Sequence, residues 1–218
     1  MFDKIRRWLR FNLLYFGRPR WDTGISPPEL KEFLESTPPG CALDVGCGTG
    51  TNLLTMAKYS WEVVGVDIAW LSVLRARSKL TNAGFKSRVI HGDVTGNLGL
   101  KCQFDLVLDI GCYHSLFPEG RRNYRLNLAS WLKPGGTYLQ YAHLRKMPHF
   151  SHGIDADDMC AFQNFLELQW STDSSEKRAG EGSGYPSRWS RFEKARDNGP
   201  STRDIFHVGD LQDPLIGD

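Results

Sequence analysis

The chain has 218 residues, 40% of them hydrophobic and 24% charged, with a formal net charge of +2. That apolar content can build one sizeable core, so a single domain is expected. The near-neutral charge gives no argument for nucleic acid, and no apolar run approaches the roughly 20 residues a membrane-spanning helix needs. Charge is unevenly spread, however. The first twenty residues hold Lys4, Arg6, Arg7, Arg10, Arg18 and Arg20 against Asp3, whereas residues 196–218 lean acidic. Cys41, Cys47, Cys102, Cys112 and Cys160 are odd in number, form no CxxC pair and do not cluster with histidines. Free thiols in the cytoplasm, and no metal site, are therefore expected.

In chain order, Phe2, Ile5, Leu9, Leu13 and Phe16 recur at helical spacing, with the basic residues mostly off the stripe. Residues 1–20 thus read as a basic amphipathic helix. Its stripe is expected to pack on the domain or cover a pocket; contact with an anionic membrane surface is the alternative. PPELKEFLEST reads as a short helix starting at a proline. Then CALDVG reads as a buried strand, NLLTMAKYS as a helix, EVVGVD as a second strand, and AWLSVLRARSKLTNAG as a helix closed by Gly84. SRVIHGD and QFDLVLDIG are the next strands, followed by a helix around RRNYRLNLASWL. KPGG reads as a turn into the strand TYLQYAHL. DADDMCAFQN is helical with Asp155 as its N-cap. FLELQWSTD and YPSRWSRFEKA pair as a hairpin with a loose loop. The rhythm predicts a doubly wound, Rossmann-like α/β sheet, mostly parallel. One domain would span 21–195, with 196–218 a disordered tail.

In such a sheet, ligands sit beyond the carboxyl ends of the strands. LDVGCGTGTN follows the first strand and sets Gly46, Gly48 and Gly50 behind Asp44. Glycines there let the loop turn sharply and admit a ligand against its amides. Asp67, ending the second strand, suits the two hydroxyls of a ribose. The dinucleotide fingerprint is G-x-G-x-x-G, because pyrophosphate must reach the next helix N-terminus. Here the spacing is G-x-G-x-G with an acid just ahead, which suits a cationic adenosine-type ligand better than a pyrophosphate.

ALDVGCGTG, VVGVD, HGDV, FDLVLDIGCYHSL and LKPGGTYLQY, in this order and spacing, resemble the class I S-adenosylmethionine-dependent methyltransferases. WDTGISPPEL and SRWSRFEKA extend the likeness to about residues 18–195. DIGCYHSL further resembles the small-molecule branch that includes thiopurine and tellurite-resistance methyltransferases. The resemblance implies a seven-stranded sheet with an antiparallel last strand and S-adenosylmethionine as cofactor. It further implies that Asp44, Gly46, Gly48 and Gly50 line the methionine end of the cofactor and Asp67 the ribose. Ile68, Asp93 and Val94 would contact the adenine, and Asp109 and Ile110 would sit near the transferred methyl. Trp21 is a cation–π candidate for the sulfonium, with a core position as its alternative, and Asp22 a candidate helix cap.

Methyl transfer from a sulfonium needs alignment and water exclusion more than a covalent intermediate. An acceptor that is hard to deprotonate also needs a base. His114 is the first candidate and Asp109 the second, with Tyr113, Tyr141 and His143 near the acceptor. HLRKMPHFSH reads as a loop over the acceptor pocket rather than a metal site, and Cys112 as a packed thiol. Phe150, Trp70 and Trp189 are expected mostly in the core. No basic track with interleaved aromatics points to nucleic acid, and nothing marks an oligomeric state. The expected acceptor is a small, rather apolar molecule with a thiol, hydroxyl or amine. An NAD(P)-dependent oxidoreductase and a cofactor-binding protein without activity are the alternatives.

Overall fold

The computed structural model describes residues 2–86, 88–100, 104–145, 152–176 and 185–196. The expected tail, Phe150, Cys102 and the hairpin loop 177–184 lie outside them.

Seven strands form one sheet. They are β1 (Cys41–Val45), β2 (Glu62–Asp67), β3 (Arg88–His91), β4 (Phe104–Ile110), β5 (Leu132–His143), β6 (Glu167–Glu176) and β7 (Tyr185–Glu193). The order is β3-β2-β1-β4-β5-β7-β6. β1 to β5 pair in parallel, while β7 runs antiparallel to both β5 and β6. The last strand is thus antiparallel as expected, and it enters between its two predecessors.

Both faces of the inner strands are covered, which is why they are apolar almost without interruption. Successive residues point to opposite faces. Leu43, Val45, Val107 and Tyr138 join one core with Tyr124, Trp131, Phe162 and Phe192. Ala42, Leu106, Leu108 and Leu139 join the other with Leu30, Leu53, Met56, Leu80 and Trp189. The covering helices are α2 (Pro28–Ser36), α3 (Thr51–Lys58), α4 (Trp70–Asn82), α5 (Pro118–Trp131) and α6 (Ala156–Gln163). Pro28 sits in the first turn of α2 and Pro118 in that of α5, where a missing N–H costs nothing. Gly84, at φ +80°, ends α4. Asp155 caps α6 in a reciprocal box with Asp158.

Two expectations change. KPGG is no turn ahead of a strand: β5 already begins at Leu132, and the residues after it form an irregularity. Phe104 pairs with Leu132, and Leu106 next with Thr137. Gly135, at φ +77°, bends the chain while its amide donates to the Lys194 carbonyl. The second change concerns α1 (Phe2–Leu14). Its apolar stripe packs little on the domain, although Ile5 lines the pocket that the helix covers, as the second half of the expectation has it. Ile5, Leu9, Leu13 and Phe16 are 50, 47, 66 and 75% exposed, while Arg7 and Tyr15 are buried. Polar anchors turn the helix this way round, because Arg7 finds a carboxylate on the domain that no apolar contact could replace.

Candidate active site

Register aligns the carboxyl ends of β2, β1 and β4, with Val45 opposite both Val66 and Asp109. Three carboxylates therefore gather where the parallel strands end. The loop after β1 carries Gly46 at φ +72° and Gly48 at φ +53°, conformations that side chains disfavour. Space demands glycine as well. A Cβ on Gly46 would lie 2.9 Å from Cys112 Cβ, and one on Gly48 would lie 2.9 Å from the Tyr15 hydroxyl. The loop is thus pinched between the β4 loop and the N-terminal segment. Gly50 opens α3 and lies as closely against Ala76 of α4.

Asp67 supports the loop. One of its carboxylate oxygens accepts from the Gly48 amide at 2.8 Å, the other from the Ala69 amide at 2.7 Å. Asp44 is 2% exposed, and its Oδ2 has no hydrogen-bond partner among the described residues. Burial first, then the neighbouring Asp67 and Asp109, push its carboxyl well above the usual range. A buried carboxylate beside two others is costly unless a cation joins it. The arrangement therefore suits a ligand bearing an ammonium or sulfonium, and it disfavours a pyrophosphate.

Beyond the ends of β2 and β3, where the resemblance puts the adenine, Ile68, His91, Gly92 and Asp93 line a cavity of about 290 Å³ together with Ile5 and Trp8 of α1. Asp93 Oδ1 accepts from Arg7 at 2.6 Å and from the Thr95 amide and hydroxyl at 2.9 and 2.8 Å. Val94 is buried in the core, and its carbonyl accepts from Asn127. α1 is therefore the roof of this cavity. Its inner residues Arg7 and Tyr15 were not singled out by the sequence, although Arg7, Phe11 and Tyr15 also stand at helical spacing, opposite the obvious stripe.

Trp21 is no core residue. It is 52% exposed at the rim, and its indole N–H donates to the Tyr15 hydroxyl at 3.2 Å. Asp22 caps no helix; it accepts from Thr49 of the glycine loop at 2.9 Å. Trp70 is 44% exposed rather than core, whereas Trp189 is buried.

Asp109 departs furthest from expectation. It is fully buried, and its carboxylate accepts from the Cys112 and Tyr113 amides and from the Tyr124 and Tyr138 hydroxyls. Burial outweighs these bonds and raises its pKa to about 6. A group saturated by four donors and sealed from solvent fixes the loop after β4 and is closed off as a base. Ile110, half-buried, is opposite Tyr141. Tyr113 likewise packs inward, 4.7 Å from Phe162, and donates to Asp158. Arg121 pairs with Asp158 in the interior and also donates to the Gly153 carbonyl at 2.8 Å. The Gly153 amide in turn donates to the His114 carbonyl at 3.1 Å, tying the segment before α6 to the β4 loop.

His114 is 7% exposed and lies in the 3₁₀ turn Tyr113–Ser115. Its Nδ1 accepts from the His143 amide at 3.0 Å, which assigns the proton of the neutral ring to Nε2. Burial, then His143, His152 and Arg121, hold its pKa well below the ordinary value. At neutral pH it is an uncharged donor. His143 stacks on it at 4.4 Å, and His152 meets it edge-on at 4.7 Å. The three ligating atoms lie within 4.8 Å of one another. Coordination by His114 would cost either its bond from His143 or the proton on Nε2, so the trio is built as a stacked wall rather than a metal donor set. His152, the end of the HLRKMPHFSH stretch, is brought here by the Gly153 tether and by the Ile154 amide donating to the His143 carbonyl at 2.8 Å.

Comparisons with known proteins agree with this geometry. Residues 42–136 match the family model described as a methyltransferase domain. A probable thiol methyltransferase 2 of Arabidopsis thaliana is 34% identical over 128 residues, 56% of each chain. A 2-heptyl-1-hydroxyquinolin-4(1H)-one methyltransferase of Mycobacteroides abscessus is 27% identical over 125 residues, 56% of this chain and 55% of that one. The chain thus spans about half the length of these curated relatives. The fold matches magnesium protoporphyrin IX methyltransferase of Synechocystis, solved with bound S-adenosylhomocysteine. The TM-score is 0.69 at 16% identity, over 88% of this chain and all of the other. The match over residues 42–136 takes in the glycine loop, Asp44, Asp67 and Asp109, and the chain has the fold of the class I S-adenosylmethionine-dependent methyltransferases.

Proposed function

We propose that the protein binds S-adenosylmethionine and transfers its methyl group to a small, largely apolar acceptor bearing an acidic thiol or hydroxyl. The observation that carries this reading is the buried Asp44 carboxylate, unpartnered at Oδ2 beneath the glycine loop. The ammonium of the methionine moiety is the partner it lacks. Asp67 retains lone pairs for ribose hydroxyls, and the cavity under α1 has room for the adenine. When bound, the cofactor supplies a methyl on an already activated carbon. The chain's own residues then orient the reactants, and α1 excludes water from the adenine end.

The acceptor class follows from the proton inventory. Asp109 is sealed and His114 carries its proton on Nε2, so the first two base candidates offer no free lone pair at the reacting end. A neutral donor stabilises an acceptor that ionises by itself, as a thiol or an acidic hydroxyl does, better than it deprotonates an amine. The thiol and N-hydroxyquinolone activities named for the two relatives support this choice. The edge of the His114 ring lies against Gly111, next to Cys112, which itself abuts Gly46. This proximity supports a donor near the proposed methionine end of the site. The odd, unframed set of cysteines supports a cytoplasmic setting.

Calorimetric titration tests the reading. S-adenosylhomocysteine should bind and NAD should not. Asp44→Asn should weaken binding at least tenfold, since a charge-assisted hydrogen bond in a buried site is lost. Affinity for S-adenosylhomocysteine should also fall on acidification as Asp44 takes a proton, starting above the ordinary carboxylate range. Absence of heat with either adenosyl ligand, or an Asn variant that binds as well as the parent, overturns it.

A further inference from the structure

We propose that the outer face of α1 docks on the surface of an anionic lipid bilayer. The helix is attached to the domain by polar bonds on its inner side. Arg7 pairs with Asp93, Asn12 accepts from the Trp70 amide at 2.9 Å, and Arg75 donates to the Gly17 carbonyl just beyond the helix at 3.0 Å. The outer side carries Leu9, Leu13 and, two residues past the helix end, Phe16, each about half exposed or more, with half-exposed Ile5 at its border with the cavity. A surface helix ordinarily buries such a stripe and sends its arginines to water. Here the order is inverted: an arginine is buried, and three large apolar side chains at helical spacing, Leu9, Leu13 and Phe16, face out. A contiguous exposed apolar strip of this kind marks a contact surface.

Charge selects the occupant. Arg6 and Arg10, both exposed, follow Ile5 and Leu9 along one flank of the strip, and Arg18 and Arg20 continue beyond it. The first twenty residues thus hold six cations and one anion in a chain whose net charge is only +2. A second copy docked symmetrically through this face would set Arg6 and Arg10 near their own counterparts. An anionic bilayer accepts the apolar strip at the headgroup boundary and the guanidinium groups among its phosphates, without that repulsion. No helix among the described residues is long and apolar enough to cross a membrane, so the contact is peripheral.

The test uses the full chain and vesicle sedimentation. Vesicles of phosphatidylcholine doped with phosphatidylglycerol should bind the protein, phosphatidylcholine alone should bind it far less, and added salt should release it. Arg6→Glu with Arg10→Glu, and separately Leu9→Asp with Leu13→Asp, should each lower the partition coefficient about tenfold or more. Both pairs are solvent-facing, and an unchanged cooperative thermal melt verifies folding. Failure of the parent to bind doped vesicles, or unaltered binding in the folded Asp variant, overturns the proposal. So does a dimer in light scattering that Leu13→Asp dissociates, because a second copy then covers the face. None of these readouts depends on methyl transfer, so the outcome is independent of whether S-adenosylhomocysteine binds.

Discussion

Asp67 holds two buried amides, one in the glycine loop and one at the start of α4, and it also raises the pKa of Asp44. Asp67→Ala therefore does three things at once. It leaves two donors unpaired, at a cost of roughly 2–4 kcal/mol of stability. It brings the Asp44 carboxyl down toward its ordinary range. It also removes the proposed ribose acceptor, so affinity for S-adenosylhomocysteine should drop in calorimetry more than tenfold even where the variant is folded. Retained affinity would show that the ribose is held elsewhere. Residue identity and spacing made Asp44, the glycines and Asp67 legible, because strand ends and a sharp loop constrain where those side chains go. Asp109 was legible in place but not in direction. A position at a strand end fixes the Cα, while Tyr124 and Tyr138, from α5 and β5, turn the carboxylate inward. Such long-range hydrogen bonds have no local sequence signature.

At the scale of elements, every strand could be read from apolar runs and their punctuation. The misread stretch was KPGG, where glycine and proline mark a bend inside β5 instead of its start. α1 shows the deeper limit. Periodicity tells which side of a helix is apolar, not which side meets the domain, and the Arg7–Asp93 pair decided otherwise. Both partners of that pair are largely shielded, at 9 and 18% side-chain exposure, so solvent screening is modest. Arg7→Ala should lower the local opening energy of α1 by about 1.5–3 kcal/mol. Hydrogen exchange would read this as amides of α1 exchanging roughly 10- to 100-fold faster, with the strands β1 and β4 unchanged. Equal protection of α1 in both proteins would mean that the helix is held by something other than this pair.

For the whole molecule, buried titratable groups set the response to pH, and they oppose one another. Asp109 has a folded pKa of about 6 against an ordinary value of 3.8, so the folded state binds more protons between those values. Its contribution to stability is therefore lost as pH rises through that window. His114 is depressed well below 6.5, so there the unfolded state binds more protons and stability falls as pH drops below 6.5. Near pH 5–6 the two slopes partly cancel. Asp109→Asn should steepen the loss of stability on acidification, by up to about 1.4 kcal/mol per pH unit for one proton, in urea melts taken from pH 7 to pH 5. A variant whose pH profile parallels the parent's would show that Asp109 does not titrate there. The roof over the adenine cavity adds a consequence in time. Ile5 and Trp8 form one wall of that cavity while Arg7 is bonded to Asp93 opposite, so lifting α1 would widen the way in for a ligand. Where that lifting precedes binding, association at high ligand concentration would level off at the frequency with which the helix opens.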